Sequence, residues 1–153
     1  MDPEDKLCWR HNILGTVAAL SDIDFQRATW LDPKMQNPAF TYVEFTNSFY
    51  DFCGGYWKVT EKDAEEAPFA GPLDEGVISE LERDLFWDLH LALLRDEQPD
   101  DYDHEAILNS ASWIEVVRVA GIVVEKLKNT LKSPEDLAML ENKLPPEEQK
   151  RWP

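Results

Sequence analysis

Apolar side chains recur at steps of three and four along most of this chain, and prolines and capping residues cut the pattern into pieces. That period lines up one stripe of an α-helix, whereas strict alternation would line up one face of a strand. Over about 3–20, Leu7, Leu14, Val17 and Ala18 fall on one face, widened by Ile13 and Leu20. Pro3 suits a first helical turn, and Glu4 and Asp5 suit the positive end of the helix dipole. Ser21 reads as the cap of a short helix carrying Ile23, Arg27 and Trp30 on one side. It ends at Leu31, because Asp32 precedes Pro33 and a residue before proline avoids helical angles.

Residues 39–52 set propensity against period. Phe, Tyr, Val and Thr favour strands. Tyr42, Phe45, Phe49 and Phe52 nevertheless step by three and four, and alternation fails at Val43–Glu44–Phe45, so a helix is predicted, ended by Gly54-Gly55. Residues 56–72, with Pro68, Gly71 and Pro72, read as a loop with room for one short strand or hairpin at 56–60. A long helix follows over about 74–96, with Ile78, Leu81, Leu85, Leu89 and Ala92 in its seam and Glu80, Asp84, Asp88 and Arg95 toward water. Asp103 caps a short turn through Leu108. Ser112-Trp113-Ile114-Glu115 reads as a capping box for a helix with Val116, Val117, Ala120, Val123, Val124, Leu127 and Leu131 on its apolar face. Ser133 opens a last helix through Leu144, before Pro145-Pro146. The expectation is one all-α domain of five to seven helices over 1–144, followed by a polar tail over 145–153.

Charge narrows the partners. The 153 residues include 31 acids and 15 bases, a net charge of −16. Such a surface opposes direct binding to nucleic-acid phosphates and to an anionic membrane face. The asymmetry is sharper than the total. Residues 1–60 hold 8 acids and 5 bases, residues 61–105 hold 16 and 3, and residues 106–153 hold 7 of each. The N-terminus lacks the basic and apolar regions of a signal peptide, and no run of about 18 apolar residues occurs, so the expected location is cytoplasmic. Cys8 and Cys53 fit no metal or redox spacing and read as buried thiols. The Trp residues at 9, 30, 57, 87, 113 and 152 read mostly as core, with Trp57 the most exposed.

Motifs for chemistry are missing. His104-Glu105 starts like a zinc-protease motif, but Leu108 stands where the second His is needed. His90 reads as a hydrogen-bonded core or boundary residue and His11 as a surface one. No Gly-x-Ser-x-Gly elbow, P-loop or Gly-x-Gly-x-x-Gly turn occurs. The run Asp96–Glu105 lacks the glycine and spacing of a calcium loop. No catalytic residue, metal or cofactor is therefore expected.

What the sequence offers instead is a surface. Glu80 with Asp84, and Asp84 with Asp88, are like-charge pairs one turn apart, each costing roughly 0.2–0.5 kcal/mol in an isolated helix. A cationic partner would relieve that repulsion. Tyr102 lies among acids like an interface anchor within a charged rim, or else tucks inward to hold its loop. The candidate partner-binding set is Asp84, Asp88, Asp96, Glu97, Asp100, Asp101, Tyr102, Asp103 and Glu105, and the expected partner is a basic protein.

One resemblance adds to this. Phe25-Gln26-Arg27-Ala28-Thr29-Trp30, then Phe49-Tyr50-Asp51-Phe52, then Ser112-Trp113-Ile114-Glu115-Val116-Val117 resemble, in that order, motifs of small acidic α-helical bacterial proteins. Most of those are uncharacterised, and some are grouped with the immunity proteins of polymorphic toxin systems. The resemblance spans about residues 13–131. Those proteins usually carry two consecutive acids in the second motif, where here Asp51 is followed by Phe52. It implies a cytosolic bacterial protein that acts by binding, and it carries over no catalytic residue. Three functions compete. The first is an acidic binding protein, such as an immunity-type inhibitor of a basic toxin nuclease. The second is a structural or regulatory interaction module whose acidity serves solubility. The third is an enzyme using carboxylates or His90 in a helical pocket.

Overall fold

The capping residues and breaks of the chain show directly in a computed structural model, which describes residues 2–32, 41–53 and 69–141. Eight helices occur among these: α1 (Pro3–Leu20), α2 (Ile23–Leu31), α3 (Tyr42–Cys53), α4 (Ala70–Asp74), α5 (Glu80–Arg95), α6 (His104–Asn109), α7 (Ala111–Thr130) and α8 (Pro134–Glu141). The described part is all-α, with one helix more than the five to seven expected. The predicted strand at 56–60, the Gly54-Gly55 stop and the tail at 145–153 lie outside the described residues. No described helix is long and apolar enough to cross a membrane.

The additional helix arises where one long helix was expected from 74. Gly76 has φ 72, a left-handed angle that glycine adopts without a Cβ clash. It closes α4, with the Gly76 and Val77 amides donating to the Leu73 and Pro72 carbonyls. Ser79 then starts α5 afresh. Its hydroxyl accepts from the Glu82 amide, while the Glu82 carboxylate accepts from the Ser79 amide, a complete capping box. The expected loop over 56–72 therefore gives way to helix from Ala70. Leu81, expected in the seam, is 54% exposed, because the break rotates the buried face onto Glu82, Leu85, Phe86, Leu89, His90, Ala92 and Leu93.

Other caps are shifted by one or two residues. Asp22, not Ser21, caps α2 by accepting from the Phe25 amide. Ser110, not Ser112, caps α7 by accepting from the Trp113 amide, and Glu115 pairs with Arg118 instead of closing a box. Asp103 caps α6 as expected. The helix over Tyr42–Cys53 has the predicted period, with Tyr42, Phe45 and Phe49 buried and Phe52 half-buried. On α2 the buried residues are Gln26, Thr29 and Trp30, and Arg27 faces solvent. Leu7 and Cys8 lie on the exposed side of α1, so only Cys53 is a buried thiol.

Helix α7 packs against α5, α1, α6 and α8, and α1 packs in turn against α3 and α8. The core between them is aromatic, led by Trp113, Tyr42, Tyr50, Phe49, Phe69 and Phe86. A buried polar link closes it: the Trp113 indole donates to the Gln26 amide oxygen at 2.9 Å. The Gln26 amide nitrogen donates to the carbonyls of Ala19 and Leu20 at 3.0 and 3.1 Å. All three short motifs of the resemblance thus send their main side chains inward: Gln26, Thr29 and Trp30, then Phe49 and Tyr50, then Trp113 and Val116.

Candidate functional site

The densest acidic run of the chain connects α5 to α6, and each end of it is tied to the same aromatic cluster. The first tie is Asp96, which follows the last residue of α5. Its side chain accepts from the Tyr42 hydroxyl, from Gln98 Nε2 at 2.6 Å and from Ser112 Oγ at 2.8 Å. Gln98 also donates to Ser110, the cap of α7, at 2.8 Å. One carboxylate therefore ties together α3, α5 and α7, and three hydrogen-bond donors compensate its burial. Burial and then the Asp96 hydrogen bond push the Tyr42 phenol above its ordinary value.

The second tie is His104, the first residue of α6. Its ring lies 5.2 Å from that of Trp30, inclined by 36°. Trp30 is itself in edge or tilted contact with Tyr42, Phe45 and Trp113. Burial lowers the His104 pKa, against a smaller upward pull from Asp103 and Asp100, so the ring rests neutral against the indole above its depressed pKa.

Between the ties, backbone hydrogen bonds fix the loop. The Asp100 carboxylate accepts from the Tyr102 amide at 2.9 Å, and the Asp100 carbonyl accepts from the Asp103 amide at 3.2 Å. Asp103 then accepts from the Ala106 amide at 3.2 Å. Tyr102 is 74% exposed, with Glu97, Asp100, Asp103 and Glu105 exposed around it and Asp101 half-buried. The inward alternative for Tyr102 is thereby excluded.

Of the nine residues expected to meet a partner, the structure gathers six on this loop. Asp96 is corrected: at 2% exposure it holds the loop and presents nothing to solvent. Asp84 and Asp88 are exposed on α5 but lie back along its axis, about 18 and 12 Å from Asp96 at 1.5 Å per residue. Asp84 is also paired with Arg83 at 2.9 Å.

A second cluster of titratable groups, around Arg10, is structural. Arg10 donates to both oxygens of Glu82 at 2.8 and 2.6 Å, to Asp136 at 2.9 Å and to the Val77 carbonyl at 2.9 Å. His11 lies 3.1 Å from the other Asp136 oxygen, so it is half-buried instead of a plain surface residue. This clamp joins α1, α5 and α8. Burial works to raise the Glu82 pKa, yet the hydrogen bonds of Arg10 and Ser79 together with the charge of Arg10 outweigh it and hold the carboxyl below its ordinary value. Nothing local announces it, because Arg10 meets partners 72 and 126 positions away.

His90 is fully buried, as expected of a core residue. Its Nδ1 pairs with the Tyr50 hydroxyl at 2.8 Å, and its Nε2 has no partner among the described residues. Its ring packs on Trp87 and Phe69, and burial lowers its pKa to about 4. Burial likewise pushes the Cys53 thiol up, which keeps it protonated and unreactive. Among the described residues no group of three or more His, Cys, Asp or Glu side chains could hold a metal ion. Comparison of the chain with protein-family models, with curated proteins and with solved structures finds no match.

Proposed function

We propose that this chain is a non-enzymatic binding protein whose loop over 97–105 engages a basic partner protein. One observation carries the reading. The loop is held at both ends by buried contacts, through Asp96 and His104, while Glu97, Asp100, Asp103, Glu105 and Tyr102 remain exposed. A surface already ordered loses less entropy on association. A concentrated negative field also steers a cationic partner into encounter and raises the association rate. An immunity-type inhibitor that occupies the cationic site of a toxin nuclease in the bacterial cytoplasm fits this chemistry. The resemblance of the three motifs points the same way.

The test begins with affinity capture from the native host, which identifies the partner. Glu97→Lys and Glu105→Lys, whose side chains make no hydrogen bond among the described residues, then probe the contact. Association should slow by tenfold or more at low salt and lose most of its salt dependence, while the thermal melt stays in place. An acidic or neutral partner, or an unchanged association rate, would leave the interaction-module reading instead.

A further inference from the structure

A second site lies away from the acidic loop. A cleft of about 870 Å³ opens between α1, the start of α2, α3, α7 and α8. That volume falls within the range of small-molecule sites, about 300–1,000 Å³. On one side it is aromatic, with the Phe25 and Phe45 rings stacked at 6.1 Å and inclined by 16°, and Phe52 beside them. Its rim is acidic: Asp22, Asp24, Glu125 and Glu141 all line it. Among the described lining residues the basic groups are Lys128 and His11. Lys128 lies 3.5 Å from Glu125 and 4.0 Å from Glu141, and His11 is engaged by Asp136, so neither offers a free positive charge to an anion.

The floor supplies an independent observation. Gly15 lies within α1 and Gly121 within α7, and both line this cleft. Glycine inside a helix weakens it relative to alanine and leaves the Cβ position empty. Among the described residues, a Cβ at Gly121 would meet nothing within 4 Å, and one at Gly15 would meet the end of Met139 at 3.5 Å, an ordinary contact. Neither glycine has a left-handed backbone angle. Among the described residues the space above Gly121 is open and that above Gly15 is bounded by the end of Met139, so no side chain fills the cleft between them.

We infer that the cleft binds a small organic cation with an apolar body. Its aromatic or alkyl part would lie against Phe25, Phe45 and the glycine floor. Its ammonium group would face the rim, where the four carboxylates outnumber the one lysine that pairs with two of them, with the ring faces adding cation–π attraction.

The test uses the full chain, labelled with nitrogen-15, and three probes of one shape: 4-phenylbutylammonium, 4-phenylbutanol and 4-phenylbutyrate. The six glycine amides give distinct reporters. The ammonium probe should shift the Gly15 and Gly121 resonances saturably and bind at least tenfold more tightly than the alcohol, with the carboxylate weakest. Gly121→Leu should abolish the shifts at Gly15 without lowering the thermal melt. Should that variant fail to fold, Glu125→Gln with Glu141→Gln should remove the preference for ammonium over alcohol. Equal binding of all three probes, or ammonium binding that survives Gly121→Leu, overturns the inference. So do cleft contacts from residues 142–153 of the chain itself, or concentration-dependent shifts without a probe, which would assign the space to the tail or to a second copy.

Discussion

Two buried acidic centres hold this molecule together, and they solve the same problem by different means. At the clamp, Arg10 supplies a positive charge to Glu82 and Asp136, which are 6% and 7% exposed. At Asp96 the donors are the neutral groups of Tyr42, Gln98 and Ser112. The clamp therefore rests on one guanidinium shared by two carboxylates, and its removal leaves Glu82 with the Ser79 amide and Asp136 with His11. The Asp96 centre is built from separate dipoles, and losing the charge leaves a network that an amide can partly restore. One secures helices distant in sequence; the other secures the base of a loop.

The largest effect should follow from breaking the clamp. Arg10→Met keeps the length of the side chain but takes the guanidinium from two buried carboxylates, leaving Glu82 with the Ser79 amide and Asp136 with His11, which should cost about 3–5 kcal/mol of unfolding free energy in urea titrations. A loss under 1 kcal/mol would mean that water or rearrangement satisfies Glu82 and Asp136 as well as Arg10 does.

Acid should separate the clamp from a neighbouring core group. His90 has a folded pKa of about 4, below its ordinary 6.5. The unfolded chain thus takes up the proton first, and stability declines as pH falls from about 6.5 toward 4. That depression is equivalent to about 3 kcal/mol at 1.36 kcal/mol per pH unit. Glu82 is depressed from 4.5, so its contribution is present above that value and is lost only as pH falls below it. A His90→Gln variant should flatten the stability profile between pH 6.5 and 4.5 and leave the lower phase in place. A profile unaltered in the upper window would remove His90 as its cause.

Asp96→Asn should be milder, about 1–2 kcal/mol, since charged acceptors become neutral ones in a network that retains its shape. Its signature is local: amide exchange should speed up at 100–105 before the rest of the chain responds. Uniform acceleration everywhere would show that Asp96 supports the fold at large and not the loop. Smallest is Gly121→Ala, which should raise stability by about 0.5–1 kcal/mol, because the added methyl group enters clear space in a helix interior. Destabilisation there would reveal a backbone requirement.

Much of the fold was readable from period and caps, and the misses share a physical origin. Leu81 and the continuous helix from 74 were misplaced because Gly76 and the Ser79–Glu82 box act locally, within a pattern whose apolar spacing runs straight through the break. Ser112 looked like a cap by spacing alone, whereas Ser110 takes that place and frees Ser112 to bind Asp96. The exposed loop acids were visible as a charge run. The burial of Asp96 was not, because two of its three donors, Tyr42 and Ser112, come from α3 and α7 and only tertiary packing brings them near. Arg10 illustrates the same limit. The motifs of the resemblance, meanwhile, are frame: Trp113 on Gln26 and Tyr50 on His90 say how the helices sit, and leave the solvent-facing loop free to differ.

The stacking of His104 on Trp30 gives the molecule an optical gauge of its own. A loop displaced at that end must lift an imidazole from an indole that is otherwise only 2% exposed, opening the Trp30 ring to water and changing its emission. Engagement at the acidic surface that leaves the loop in place, and engagement that pries it away, would therefore differ in colour before either is seen in structure.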